Sequence, residues 1–270
     1  MIRFASLLAI LLAAPALAQV PGPEARIPQS TVATGSRDIA RAWLAEPTAR
    51  YAHGVLGDAI EAGALVVETR GGERLVHRLP ERRVFEDLVP RLADLDGDGR
   101  DEVIVVRADA RLGAALAVYG IEGGALVEKA ATDPIGRANR WLNPVGAADL
   151  DGDGAMEVAF VETPHIGGIL RVFTWREGGL VFRDALAGVS NHALGSTALG
   201  LHALADRDGD GTPEIVVPTQ ARDALVVVDF RDGRLGEAAR IALPGPVTGD
   251  IAVEGDALRV PTRAGVVRVF

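Results

Sequence analysis

Apolar residues along this chain come in short runs, and the runs repeat. "EVIVV" (102–106), "AALAVYG" (114–120) and "ALVEKAA" (125–131) are followed in register by "EVAFVE" (157–162), "ILRVFTW" (169–175) and "LVFRDAL" (180–186), with turns rich in Gly and Asp between them. Runs of five to seven residues bounded by such turns predict short antiparallel β-strands. Outside the first eighteen residues, only 37–45 offers even a weak helical period, so a helix over 38–45 is the one alternative to strand there.

The runs are organised by a repeated acidic stretch. "ADLDGDGRDEVIVV" from Ala93, "ADLDGDGAMEVAFV" from Ala148 and "ADRDGDGTPEIVVP" from Ala205 are separated by 55 and 57 residues. Two weaker copies, "GDAIEAGALVVETRGGERLVHRL" from Gly57 and "GDIAVEGDALRVPTRAGVVRVF" from Gly249, keep the Gly-Asp, the turns and the strands but lose the acidic loop. Internal repetition at this period, with four strands to a unit, predicts a β-propeller. The expected fold is all-β: a propeller of five blades with units starting near 51, 88, 144, 200 and 245. A pair of β-sandwiches would not produce five related units. Open sheet edges are costly, so the strand-like segment 38–47 is expected to close the ring by completing the last blade. Residues 19–36 read as a flexible lead-in to a single domain over 37–270.

In Asp-x-Asp-x-Asp-Gly, carboxylates at positions 1, 3 and 5 face one point, Gly at 6 allows the sharp turn, and position 7 offers a backbone carbonyl. Each loop adds an acid at position 9. The predicted metal ligands are Asp94, Asp96, Asp98, the carbonyl of Arg100 and Glu102; Asp149, Asp151, Asp153, the carbonyl of Ala155 and Glu157; and Asp206, Asp208, Asp210, the carbonyl of Thr212 and Glu214. Four carboxylates within a few ångströms call for a hard dication with oxygen ligands, and Ca²⁺ fits, with about three ions expected. Zinc would require His or Cys, which these loops lack. An EF-hand is excluded, because position 12 is Val105, Phe160 or Val217 and a strand follows the loop.

These three loops resemble the FG-GAP or VCBS-type repeats of integrin α-subunit propellers and of many secreted bacterial proteins. In that family the acidic loop joins the first two strands of a blade and holds Ca²⁺, so the resemblance implies both fold and ion. The departures are Glu in place of the more usual Asp at position 9, and the loss of ligands in the first and fifth units. Function varies widely across the family.

Composition narrows the setting. The first eighteen residues, "MIRFASLLAILLAAPALA", have the basic start, apolar run and small-residue ending of a Sec-type signal peptide of a bacterial chain, which predicts a periplasmic or secreted protein. That run is short for a membrane span. The chain has no cysteine, so neither disulfides nor acylation at cysteine are available. The formal charge of −9 argues against nucleic acid as a partner. No HExxH, GxSxG or phosphate-binding loop is present, so the expected function is a non-catalytic module, monomeric, that binds an envelope or extracellular protein or polysaccharide. The alternative is a polysaccharide-processing hydrolase or lyase on the same scaffold. The connectors between units gather Tyr51, His53, Glu86, Asp87, Arg140, Trp141, Asn143, Asn191, His192 and His202, which predicts a ligand-binding mouth at the end of the ring opposite the acidic loops. His77 and His165 read as strand-surface or turn residues.

Overall fold

The computed structural model describes residues 25–270, and the eighteen-residue leader lies outside the described residues. The described residues contain strands and turns and no helix. Their strands fall into five successive antiparallel units arranged as propeller blades.

The first blade comprises β1 (Ala33–Thr34), β2 (Ile39–Thr48), β3 (Glu61–Thr69) and β4 (Arg74–Arg78), paired in that order. The second has β5 (Arg83–Phe85) and β6 (Arg91–Ala93) as two halves of an inner strand, both paired to β7 (Glu102–Asp109), then β8 (Gly113–Glu122) and β9 (Ala125–Ala131). The third is β10 (Leu142–Ala148), β11 (Glu157–Glu162), β12 (Ile169–Arg176) and β13 (Gly179–Ala187). The fourth is β14 (Ala203–Ala205), β15 (Glu214–Pro218), β16 (Ala224–Arg231) and β17 (Arg234–Ala242). The fifth holds three strands, β18 (Ala252–Glu254), β19 (Ala257–Thr262) and β20 (Gly265–Val269).

Burial follows position within a blade. The second and third strands of the second blade, β7 and most of β8, are buried on both faces, because each blade packs against neighbours on either side. Fourth strands such as β17 are mostly exposed. One apolar cluster runs through the first three blades, a second joins blades three and four, and a third joins four and five.

The inner strands share an irregularity. Arg26 bridges Ala45 while Ala33 pairs with Ala42; Val189 bridges Thr219 while Ala203 pairs with Val216; and Val247 bridges Thr262 while Ala252 pairs with Arg259. In the first, fourth and fifth blades the inner strand therefore leaves its partner midway and returns; the excursion in the fourth carries Asn191 and His192, and the break between β5 and β6 in the second carries Glu86 and Asp87.

Three sequence expectations change here. Segment 38–47 does not complete the last blade: as β2 it pairs with β3, from Ile39↔Thr69 to Thr48↔Glu61, so it is a second strand of the first blade and not a helix. The first blade begins near Arg26 and not near 51, and Gly57-Asp58, taken as its opening, lies in the connection between β2 and β3. The described part of the lead-in is the innermost strand of that blade, with Ile27 and Ser30 buried. The weak acidic signature of this blade misled the alignment: its loop is the four-residue "GSRD" (35–38), half the length of the others.

If residues 25–34 are an integral strand, Ile27→Ala should destabilise the protein by about 2–4 kcal/mol in denaturant unfolding. A loosely attached lead-in would leave the unfolding midpoint unchanged.

Candidate functional site

Each acidic loop joins the first and second strands of its blade, and the three are folded by the same hydrogen bonds. In the first, Asp94 accepts from Gly97 N–H (2.8 Å) and Gly99 N–H (3.1 Å), Asp96 accepts from Asp98 N–H (3.1 Å), and Asp98 accepts from Arg100 N–H (2.8 Å). Asp149, Asp151 and Asp153 repeat this pattern, as do Asp206, Asp208 and Asp210. The glycines at positions 4 and 6 of each loop have φ between 74° and 94°, a region open to Gly and costly for residues with a Cβ.

Position 9 acts from below. Glu102 and Glu157 each accept from the N–H of position 2, Leu95 and Leu150, at 2.9 Å, and Glu214 accepts from Arg207 N–H at 2.6 Å. All three glutamates are buried. Burial pushes their carboxyls up, Glu102 to about 7, with the aspartates above adding to the shift.

Carboxylate oxygens of Asp94, Asp96 and Glu102 lie within 4.8 Å of one another, as do those of Asp149, Asp151 and Glu157, and those of Asp206, Asp208 and Asp210. The expected ligand sets are met in part: position 9, Glu214, stands outside the third group, and position 5 stands outside the first two. Asp98 is turned to Arg100 (2.6 Å) and Asp153 to Arg176 (2.6 Å). Arg176 and Arg231 occupy the same place at the end of a third strand, and Arg231 reaches Asp208 (2.9 Å) and Asp210 (3.0 Å). These outer arginines were missed from sequence, although their common position before "EGG" and "DGR" was legible. The donor set suits a hard dication: oxygen ligands only, converging at each loop. Glu157 Oε1, on a residue with no exposed surface, has no hydrogen-bond partner. A buried carboxylate oxygen left without a donor is what a cation would satisfy.

The mouth residues lie at the other end of the second strands. β11 runs from Glu157 at the loop to Glu162, paired with Leu142 beside Trp141, a separation of about 17–20 Å for six residues. The structure brings most of them together but buries them. Trp141 donates its indole N–H to Glu86 O (2.9 Å) and packs against the rings of His192 and His165. His165 and His192 share a hydrogen bond (2.8 Å), and His192 also bonds Ser196 O. Asn143 donates to Asn191 O and Leu199 O, while Asn191 donates to Asn143 O and contacts His202. Asp87 accepts from Leu88, Val89 and Val106 N–H and from Arg91. Tyr51 OH accepts from Asn139 N–H.

Trp141, Asn143, Asn191, His192, Glu86, Asp87 and Tyr51 are all buried, so they form a plug that ties blades together rather than an open aromatic surface. His53, Arg140 and His202 stay partly exposed. Trp141, His53 and Arg140 border a small dent of about 90 Å³. His165 sits in the turn between β11 and β12, and its ring joins this plug; His77, on β4, packs on Tyr119.

The plug contains misfit charges. His53 Nδ1 meets Glu86 Oε1 at 2.6 Å. Glu61, unnoticed in sequence, sits one step along the ladder from the Ala62↔Phe85 pair and therefore opposite Glu86. Burial, reinforced by Glu86, pushes Glu61 up to about 9, and burial beside Asp87 holds Glu86 well above the carboxylate range. Burial also drives His165, His192 and His202 down to about 4, helped by neighbouring His192 and Arg222, Arg222, and Arg91 respectively.

A family model for FG-GAP-like repeats matches residues 94–160, the span from the first acidic loop through the second strand of the third blade. No curated protein matches the chain.

The histidine shifts fix a pH dependence. A folded pKa below the unfolded one gives stability that is full above the unfolded value of about 6.5 and is lost as pH falls toward about 4. Glu61 has the opposite sign, since its raised pKa favours the fold at low pH and opposes it as pH rises through about 9. His192→Gln should therefore flatten the fall in stability between pH 6.5 and 4 relative to the parent, by an amount on the order of 1–3 kcal/mol. Parallel pH profiles would show that His192 is not held neutral.

Proposed function

Because residues 94–160 match a model of FG-GAP-like repeats and the sheets are those of a β-propeller, we propose that the chain is an exported, calcium-stabilised module that binds a protein or polysaccharide partner in the periplasm or outside the cell and performs no chemistry itself. The observation that carries the calcium reading is the threefold recurrence of one hydrogen-bonded loop over a buried glutamate, with Glu157 Oε1 lacking any donor. Asp94, Asp96 and Glu102, Asp149, Asp151 and Glu157, and Asp206, Asp208 and Asp210 would hold the ions, joined by the remaining loop oxygens. Bound calcium would supply the positive charge that these clusters lack. The protein's own part is to fix the carboxylates: the glycines shape the turn, the backbone amides orient the aspartates, and the arginines at the rim limit repulsion.

The leader sequence supports export. One observation favours the second reading, a polysaccharide-processing enzyme: His53 is oriented by buried Glu86 beside the dent that Arg140 borders, an arrangement suited to proton transfer. Product release from a panel of polysaccharides, lost in Glu86→Gln, would favour that reading. No turnover would favour the binding module.

Ligation of the fold but not the unfolded chain stabilises by about 2.7 kcal/mol per site at a hundredfold excess over Kd. The melting temperature is expected to fall in EGTA, to recover in Ca²⁺ and to recover poorly in Mg²⁺. Equal melting in all three conditions would refute the calcium reading.

A further inference from the structure

The repeats act as controls for one another. In blades two, three and four the pairing of third and fourth strands shifts register at the same place: between Val118 and Tyr119, between Val172 and Phe173, and between Val227 and Val228. The fourth-strand residue opposite the second member of each pair is Glu128, Phe182 and Glu237. The glutamates are used at the surface, Glu128 by Arg107 and Glu237 by Arg240. Phe182 instead leaves 49% of its surface exposed, in a chain with only seven phenylalanines.

Two more of those seven lie behind it. Phe173 meets Phe182 edge-on at 5.5 Å, and Phe160 stacks on Phe173 at 5.6 Å. Arg171 lies over the Phe182 ring at 5.8 Å, at a strand position where the sister blades have Ala117 and Val226. Together they form one wall of a cleft of about 310 Å³. The facing wall is residues 132–135, where the chain leaves the second blade, held by Ile135 N–H to Ala114 O and Thr132 N–H to Leu116 O.

We propose that this cleft between the second and third blades is a peptide-docking site that takes a large apolar side chain of a protein partner together with an adjoining basic residue. The inference rests on the binding-module reading and names the site and the class of partner. The cleft lies at the small end of ligand-pocket volumes, room for one or two side chains. Its floor is aromatic, which favours an apolar anchor. At its rim Arg171 is already matched by Glu162 at 2.7 Å, whereas exposed Asp133 has no ion-pair partner among the described residues, so one negative charge awaits a basic group. A sugar ring is the weaker fit, because Arg171 and Glu162 satisfy each other and leave few polar groups to receive hydroxyls.

The test uses the full calcium-loaded chain and three probes: acetyl-Phe-Lys-amide, acetyl-Phe-Glu-amide and methyl glucoside, with binding followed by NMR shift titration. The Phe-Lys probe should bind best. Phe182→Glu installs the residue of the sister blades at an exposed position and should weaken that binding at least tenfold with unchanged melting. Asp133→Asn should abolish the preference for Lys over Glu. Equal binding by Phe182→Glu, no saturable binding of the Phe-Lys probe, or tighter binding of methyl glucoside would each overturn the proposal. Turnover on the polysaccharide panel is read on the same samples. If none is seen while the probe fails, only this site is wrong; if turnover is seen, the binding-module reading fails with it.

Discussion

Crowded carboxylates at the junction of first and second strands set the main constraint on this fold. Each of the three loops gathers three exposed or partly exposed aspartates above a buried glutamate, and like charges so close oppose one another unless compensated. Backbone amides and rim arginines compensate in part. Glu102 is driven up to about 7, chiefly by its burial and further by Asp96 and Asp98. Because each loop leads directly into the most buried strand of its blade, whatever settles the charge also fixes the start of β7, β11 or β15 and thereby the register of the sheet behind it.

At the far ends of those strands the opposite solution is used. Connectors, a turn and a strand end fold inward there as a plug of Trp141, His165, His192, Asn143 and Asn191. Its polar groups are bonded mainly to one another and to backbone, which holds neighbouring blades together without a continuous hydrogen-bonded ladder. Burial keeps its histidines neutral, a support lost as pH falls from about 6.5 toward about 4, and keeps Glu61 uncharged, a support lost as pH rises through about 9. The outer face of the third blade is left free to depart from its sisters, and it does so with Phe182 and Arg171.

Much of this was legible because repetition amplifies a weak signal. The strands β7 to β9 and β11 to β13 match the apolar runs nearly residue for residue, and the acidic loops announce themselves three times. The first blade was misplaced because its loop is shortened to 35–38 and carries no Asp-x-Asp motif, leaving only generic Gly-Asp turns to align. Most of the mouth residues do lie near one another, but composition cannot tell an exposed aromatic from a buried one: Trp141 reads the same whether it greets a ligand or donates its N–H to Glu86 O. Glu61 was invisible because its meaning depends on lying across the ladder from Glu86. The turning of Asp98 and Asp153 toward arginines likewise depends on neighbours, one of them 23 residues away.

The most direct test of the central claim, that the acidic loops are built around cations, is calcium titration by calorimetry on the metal-stripped full chain. Three sites are expected, with Glu157→Gln removing one of them and leaving the remaining two with nearly unchanged affinity, since the loops sit on separate blades. Absence of calcium binding, or a stoichiometry that Glu157→Gln leaves untouched, would contradict the account.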